Sequence, residues 1–227
     1  MGEDGKRSAL AQERSRQTRR RLIRAALDLW AQRGYPDGIE STTAAEIAET
    51  AGVSKATFYL HFSRKEDVLA EIPAATANFI DHVATSLLAK DEPTTRVLDR
   101  LHTELAQRVE GADPAAVALS MIEIRRKAIL ERTNSKREGL THTYARALLH
   151  GKARRDLPKT LDVDETAGLL QAVVADAIED WAIAALDGEV MGLRSALIRR
   201  SSMILEACSS EQQGSAGASG GPGVRIQ

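Results

Sequence analysis

Residues 52–62 read GVSKATFYLHF, and they contain two of the three Phe and one of the three Tyr in the chain. Gly52 supplies a turn, and Ser54 is a favourable N-cap for the short helix that follows it. Phe58 and Phe62 are four residues apart, so both side chains lie on one face of that helix and pack on neighbouring helices. The stretch is therefore predicted to be a short helix with an aromatic underside and a polar outer surface.

The preceding residues complete a helix-turn-helix. Thr43 is predicted to cap a helix that runs to Thr50, and a very tight turn joins it to the helix described above. In this motif the second helix enters the major groove of DNA, N-terminus first, and free backbone N–H groups there favour phosphate. The polar residues predicted to contact DNA are Thr43, Ser54, Lys55, Thr57, Tyr59, His61 and Lys65.

A strongly basic helix is predicted upstream of the motif, over residues 15–33. Nine Lys or Arg lie between Lys6 and Arg33, against two acidic residues. The net charge of the whole chain, −1, therefore hides a basic N-terminal segment. Arg16, Arg19 and Arg20 are predicted to add nonspecific attraction to DNA. The alternative is an ordinary solvated helix face.

The rest of the chain has the apolar spacing of helices and almost no alternation typical of strands, so an all-α fold is predicted. One long helix is predicted from Ser63, with a kink or a break at Pro73. Further helices are predicted at about 75–89, 94–110, 114–132, 136–151, 163–186 and 190–207. The predicted organisation is a flexible basic arm (1–14), a helix-turn-helix domain (15–71), a larger helical domain (72–208) and a disordered Gly/Ser-rich tail (209–227).

A family resemblance supports this organisation. The string TTAAEIAETAGVSKATFYLHFSRKEDVL, preceded by RLIRAALDLWAQRGY, closely resembles the DNA-binding domain of the TetR family of bacterial transcriptional regulators over residues 16–71. The resemblance implies a homodimeric, all-α regulator, most often a repressor, that binds palindromic operator DNA and is released by a small-molecule effector. It also implies that residues 72–208 bind the effector and form the dimer. The loop YPDGIES is longer than is usual in the family, and Ala45 and Leu60 replace groove-facing polar residues.

The DNA contacts of the family map onto six of the predicted residues. Carried over position by position, they are Thr43, Lys55, Thr57, Tyr59, His61 and Lys65.

Dimerisation is predicted to use the last two helices. Two recognition helices must reach successive major grooves, so a second copy of the chain is required. An apolar stripe on each helix is predicted to meet the other copy in a four-helix bundle. The stripes are Leu169, Leu170, Val173, Val174, Ala177, Ile178 and Trp181, and Leu193, Leu197, Ile198 and Ile204. The alternative is that they close the core of a single chain.

No motif in the C-terminal two thirds identifies an effector. Ligand pockets are mostly apolar with a few converging polar groups, so polar residues near apolar helical faces are the candidates. Each is also compatible with ordinary packing or exposure. The predicted effector-binding residues are Asn78, His82, His102, Arg125, His142 and Trp181.

Other functional classes have less support. Four His (His82, His102, His142 and His150) raise the alternative of a metal-dependent enzyme or a metal-sensing regulator, but none forms a close pair or an HExxH motif. No phosphate loop, nucleophile elbow or cysteine-based site is present, so neither catalytic residues nor a cofactor is predicted. The single Cys and the absence of an apolar leader or membrane span predict a cytoplasmic protein.

Overall fold

The computed structural model describes the backbone of residues 3–131 and 139–216, with side chains over 7–130 and 139–208. Every regular element in these ranges is helical, so the predicted all-α fold is confirmed. The first helices are α1 (Glu3–Arg33), α2 (Asp37–Ser41), α3 (Ala44–Thr50) and α4 (Lys55–His61), and a 3₁₀ turn follows at Lys65–Val68. The later helices are α5 (Glu71–Leu88), α6 (Thr94–Glu110), α7 (Pro114–Glu131), α8 (Leu140–Arg154), α9 (Val163–Leu186) and α10 (Leu193–Ala216). Over the described residues, no helix combines the length and apolarity needed to cross a membrane.

Residue contacts divide the chain into two units. The N-terminal unit consists of Met1–Pro73 together with Ala115–Glu131. The C-terminal unit comprises the described residues of Ala74–Pro114 and Arg132–Gln227. Helix α7 therefore groups with the N-terminal unit, although the sequence led us to expect it in the larger helical domain.

The helix-turn-helix is built by the predicted caps. The Thr43 side chain accepts a hydrogen bond from the Glu46 backbone N–H, and the Glu46 carboxylate accepts one from the Thr43 backbone in return. Ser54 caps α4 by accepting from the backbone N–H of Thr57. Gly52, with φ of +66°, makes the turn between α3 and α4, a conformation in which a residue with a Cβ would be strained.

Two terminal segments differ from their predicted states. Helix α1 begins at Glu3 rather than Ser15, so residues 3–14 of the predicted flexible arm are helical. Helix α10 continues through Ala216 into the predicted disordered tail, whose remaining residues 217–227 lie outside the described part of the chain. Both extensions have the same physical reason, because adding a residue to an existing helix avoids the cost of nucleation. The predicted start of the 136–151 helix lies partly outside the described residues.

Helix α2 forms within the loop YPDGIES, where no helix was predicted. Gly38 lies so close to α1 that a Cβ at this position would be 2.5 Å from the carbonyl oxygen of Trp30. The side chain of Ile39 is buried in the same contact. The loop sequence is turn-rich by composition, and only this close packing on α1 accounts for the helix.

The prediction that one long helix begins at Ser63 was wrong. A 3₁₀ turn occupies its first part, and α5 begins only at Glu71. Pro73 lies in the first turn of α5, where a helix needs no backbone donor, and it therefore does not interrupt the helix.

The core of the N-terminal unit holds α4 in place. Phe58 and Phe62, at 0% and 3% exposure, pack with Trp30 of α1 and Ile47 of α3, as the aromatic underside predicted. Truncating a buried Phe to Ala typically costs about 3–5 kcal/mol, so these rings fix the orientation of α4. Leu119 of α7 packs against the same cluster.

The core of the C-terminal unit contains most of the predicted dimer stripes. Helix α9 packs on α8 and α10, and α10 also packs on α6. Trp181 is only 8% exposed within this single chain. The residues of the stripes that are buried here are Leu170, Val174, Ala177, Ile178, Trp181, Leu193 and Leu197. These residues close the core of one chain, which is the alternative that the sequence left open.

Candidate nucleic-acid interface

Helix α4 presents a polar surface on a rigid base. The Ser54 and Thr57 hydroxyl groups are 2.9 Å apart, and Thr57 also donates its backbone N–H to Ser54. Lys55 is exposed in the first turn, where the helix dipole favours an anion. Tyr59 is 51% exposed, and the edge of its ring system contacts Phe58 at a centroid distance of 5.4 Å. The first turn and Tyr59 are thus available to DNA, while Phe58 fixes their position.

His61 occupies the last turn of α4 in a half-buried position. Arg19 of α1 donates to the backbone oxygen of His61 at 2.7 Å. Burial, followed by the charge of Arg19, lowers the pKa of His61 below its ordinary value. At neutral pH the imidazole is therefore uncharged and suited to a hydrogen bond rather than to an ion pair with phosphate.

Thr43 lies at the N-terminus of α3, within a hydrogen-bonded group that also contains Glu46 and Arg33. The Thr43 hydroxyl donates to Glu46 at 3.0 Å, and Arg33 donates to the other carboxylate oxygen at 2.9 Å. The hydrogen bond from Arg33, followed by those from Thr43, lowers the pKa of Glu46 to about 2. The ion pair with Arg33 offsets the negative charge of Glu46 at the N-terminus of α3.

Lys65 is engaged differently from the prediction. Its ammonium group donates to the backbone oxygens of Ile39, Glu40 and Thr42 at the C-terminal end of α2. An ammonium group has three donors, and all three are used here. This geometry makes Lys65 a cap of α2, and its predicted phosphate contact stays a prediction.

Arg19 is likewise held within the N-terminal unit. Its guanidinium pairs with Glu71 at 2.7 Å and lies 4.2 Å from the centre of the Phe62 ring. Arg19 thus has a structural role, and its predicted nonspecific attraction to DNA stays a prediction. Arg16 and Arg20 are exposed, as that attraction requires.

A group of charged residues joins α7 to the turn that follows α4. Arg126 of α7 pairs with Asp67 at 2.6 Å, and Glu123 of α7 lies 3.5 Å from Arg64. Arg126 also pairs with Glu123 one turn earlier on the same helix. The hydrogen bond to Glu123, together with the charges of Glu123 and Asp67, raises the pKa of Arg126 against the opposing effect of burial. Sequence reasoning missed this connection because its partners are 59 positions apart.

The six predicted effector-binding residues differ in burial and in the unit to which they belong. Four of them are exposed, and His82 bonds only to the backbone oxygen of Asn78, one turn earlier on α5. His102 and Trp181 are buried in the C-terminal unit, whereas Arg125 belongs to the N-terminal one. The exposed residues are Asn78, His82, Arg125 and His142.

A buried polar cluster surrounds His102. The Nε2 atom lies 3.2 Å from the Ser201 hydroxyl, and the imidazole is 5.9 Å from the Tyr144 ring. Burial lowers the pKa of His102 to about 4 and raises the pKa of Tyr144. Ser201 was missed from the sequence, since it is a single polar residue in an otherwise apolar helical stripe.

The metal-site alternative requires several acidic, His or Cys side chains to converge. Across residues 3–131 and 139–216, no group of three or more His, Cys, Asp or Glu is arranged to hold a metal ion. His102 is buried while His82 and His142 are exposed, so these side chains have different environments.

Comparisons with known proteins agree with this architecture. A model described as bacterial regulatory proteins, tetR family, matches residues 22–72. The transcriptional regulator TtgR of Pseudomonas putida is 28% identical over 190 residues, which cover 74% of this chain and 82% of TtgR. TcmR of Streptomyces glaucescens is 46% identical over 59 residues, covering 26% of this chain and 24% of TcmR.

A solved structure shares the fold. The repressor FadR of Thermus thermophilus, crystallised with lauroyl-CoA, superposes with a TM-score of 0.66 at 23% identity. The match covers 83% of this chain and 93% of that one. A helical chain with this helix-turn-helix is a DNA-binding transcriptional regulator. Its helix-turn-helix domain, over residues 22–72, is similar to that of the tetR family of bacterial regulatory proteins.

Proposed function

We propose that the chain is a cytoplasmic repressor that binds a palindromic operator as a homodimer and is released by a small-molecule effector. The proposal rests on the two faces of α4: Lys55 and Tyr59 are exposed on one, and Phe58 is buried on the other. The protein acts by binding rather than by catalysis, as the regulators to which it is similar do.

Base and phosphate contacts are divided along the motif. Tyr59 contacts base edges, because its exposed side chain lies on the outer surface of α4. The half-buried imidazole of His61 does so as well, since it carries no charge that would favour phosphate. Lys55, Thr57 and the N-terminus of α3 at Thr43 contact phosphates. Ser54 contributes by holding the first turn of α4 in place.

The homodimer uses the outer faces of α9 and α10. The predicted stripe is mostly buried within one chain, but each helix also carries large apolar side chains that are exposed. These are Leu169, Ile183 and Leu186 of α9, and Met203 of α10. Covering them with a second copy would remove apolar surface from water. To bind operator DNA, the dimer must hold its two α4 helices about 34–36 Å apart, the separation of successive major grooves.

The effector binds in the C-terminal unit. His102, Tyr144 and Ser201 supply polar groups within an apolar core, which is the usual composition of a ligand pocket. A molecule with a long apolar chain joined to a polar head fits this chemistry. FadR of Thermus thermophilus, which shares the fold, was crystallised with lauroyl-CoA, so an acyl-CoA is the first class to test.

Helix α7 transmits the effector signal. By its contacts α7 belongs to the N-terminal unit, yet the chain at both of its ends continues into segments of the C-terminal unit. An effector can shift the equilibrium only if it binds one conformation better than the other. The ion pair between Arg126 and Asp67 connects α7 directly to the 3₁₀ turn that follows α4.

Selection of bound duplexes from a random DNA library tests the proposal. We expect a palindrome to be enriched and two chains to bind each selected duplex, as measured by sedimentation. Lauroyl-CoA is then titrated into the complex, and loss of fluorescence anisotropy is the expected result. A library that yields no preferred sequence would contradict operator binding, and an unchanged anisotropy would remove lauroyl-CoA as an effector.

The role of α7 has a separate test. Arg126→Gln should leave operator affinity close to that of the wild type while weakening release by an active effector. Lys127→Gln, an exposed position on the same helix, removes the same charge and serves as the control. Equal effector responses in both variants would exclude this role for Arg126.

A further inference from the structure

One face of α1 forms an arginine-rich surface that the helix-turn-helix does not use. An open concavity of about 700 Å³ runs along this face. Its polar and basic lining comes entirely from α1. The lining residues are Arg14, Gln17, Thr18, Arg20, Arg21 and Arg24.

The arginines of this α1 surface differ from most arginines elsewhere in the molecule. Arg33, Arg64, Arg126, Arg146, Arg154 and Arg200 each pair with at least one carboxylate. In contrast, the four arginines of the α1 surface form no ion pair with any carboxylate of the described residues. Arg21 has only a long hydrogen bond, 3.5 Å, to the Thr18 hydroxyl. Four exposed guanidinium groups on one face repel each other, and an anion would relieve that repulsion.

The surface adjoins the helix-turn-helix. A Cβ placed on Gly52, in the turn between α3 and α4, would lie 3.9 Å from a terminal nitrogen of Arg21. The guanidinium of Arg21 therefore reaches the turn from which α4 begins. The basic surface is continuous with the element that enters the major groove.

The spacing and chemistry fit a polyphosphate. Ten residues of helix separate Arg14 from Arg24, which corresponds to about 15 Å along the axis. Guanidinium groups bind phosphate oxygens in a bidentate manner, and one DNA strand presents a phosphate about every 3.4 Å of the duplex axis. The lining contains no aromatic side chain on which a free base could stack. This composition favours the repeated phosphates of a nucleic-acid backbone over a single small anion.

We propose that the α1 surface binds the phosphate backbone of DNA outside the half-site read by α4, extending the footprint into flanking sequence. The inference rests on the proposed operator binding and adds a second contact region to it. Since phosphate contacts carry no direct sequence information, the flanking DNA needs no particular sequence. Each phosphate contact contributes about 0.9 to the slope of log affinity against log salt.

The experiment compares two duplexes with the same selected core. One is the core alone, and the other carries ten additional base pairs of unrelated sequence at each end. The variant is Arg14→Gln/Arg21→Gln/Arg24→Gln, whose altered side chains are exposed, so its circular dichroism and melting temperature should match the wild type. Anisotropy titrations are run over a range of salt concentrations.

We expect the variant to bind the flanked duplex at least tenfold more weakly than the wild type does, with a smaller salt slope. On the core alone the two proteins should bind equally. A control that removes three exposed basic side chains from the C-terminal unit, Arg96→Gln/Arg100→Gln/Lys159→Gln, changes the net charge by the same amount. It should still bind the flanked duplex more tightly than the core alone.

The outcomes separate this inference from the proposed function. If the variant lost affinity equally for both duplexes, or for neither, the flanking contact would be overturned while sequence-specific binding remained intact. A similar loss in the control variant would show that overall charge, rather than the α1 surface, determines affinity. If the wild type prefers no sequence at all, the proposed function itself fails.

Discussion

The ammonium group of Lys65 donates a hydrogen bond to the backbone oxygen of Thr42 at 2.8 Å. It also donates to the oxygens of Ile39 and Glu40, so one side chain satisfies three carbonyl groups at the end of α2. The C-terminal end of a helix carries partial negative charge, which a cation stabilises. Lys65 therefore anchors α2 to the segment that follows the recognition helix.

Lys65→Ala should destabilise the N-terminal unit rather than weaken its electrostatic attraction to DNA. Hydrogen bonds to a charged group contribute about 1.5–3 kcal/mol, and the three carbonyl oxygens would lose their charged donor. We expect a comparable loss in the free energy of unfolding by urea, with the salt slope of DNA binding unchanged. A salt slope lowered by about 0.9 would restore the phosphate contact predicted from the sequence.

Lys55→Ala provides the matched comparison. Lys55 is exposed at the start of α4, so its removal should leave the free energy of unfolding nearly unchanged. The salt slope should fall by about 0.9 for each lost phosphate contact. If both lysine variants behave alike, the distinction between cap and DNA contact fails.

Tyr59→Ala should weaken binding to the selected operator by about 1–3 kcal/mol, the scale of one lost specific contact. The fold should persist, because Tyr59 is half exposed and the core beneath α4 is formed by Phe58. Binding to unrelated duplexes should be unchanged, which separates base recognition from general attraction. Anisotropy titrations on both duplexes at one salt concentration measure the effect, and wild-type operator affinity would remove Tyr59 from the interface.

Gly38→Ala should destabilise the N-terminal unit by about 1–3 kcal/mol. The added methyl group would lie 2.5 Å from the Trp30 carbonyl oxygen, so α2 would have to move away from α1. Glu40→Ala in the same helix alters an exposed side chain and should change stability by less than about 0.5 kcal/mol. Calorimetry of the two variants gives the comparison, and equal melting temperatures would mean that α2 packs less closely than described.

His102 should make stability depend on pH. Its pKa in the folded protein is about 4, below the ordinary value of 6.5, so the unfolded chain binds the proton more readily. The stabilisation is complete above about pH 6.5 and is lost as the pH falls toward 4, by up to about 3 kcal/mol at 1.36 kcal/mol per pKa unit.

The measurement is the free energy of unfolding by urea from pH 4 to 7. His102→Phe should flatten this dependence, whereas replacement of the exposed His82 by Gln should leave it as in the wild type. An unaltered pH profile in His102→Phe would show that the imidazole does not remain neutral on folding.

Local sequence patterns were sufficient for the helix-turn-helix. The caps at Thr43 and Ser54 act over three residues, and Phe58 and Phe62 are one turn apart, so their positions follow from short-range geometry. Helix α2 depends on the packing of Gly38 against Trp30 of α1, and Lys65 bonds to carbonyl groups more than twenty positions away. No local pattern contains either contact. An apolar stripe such as that around Trp181 shows that a helix face is covered, but not whether its own chain or another covers it.

The discontinuity of the N-terminal unit limits how this protein can be recombined with its relatives. A chimaera that carries over only residues 1–73 would leave α7 behind. Leu119 would then be missing from the side of the core that it covers, and Asp67 would lose Arg126. Exchanging DNA specificity between members of the family therefore requires two segments to be moved together, or a donor whose own α7 already carries matching residues.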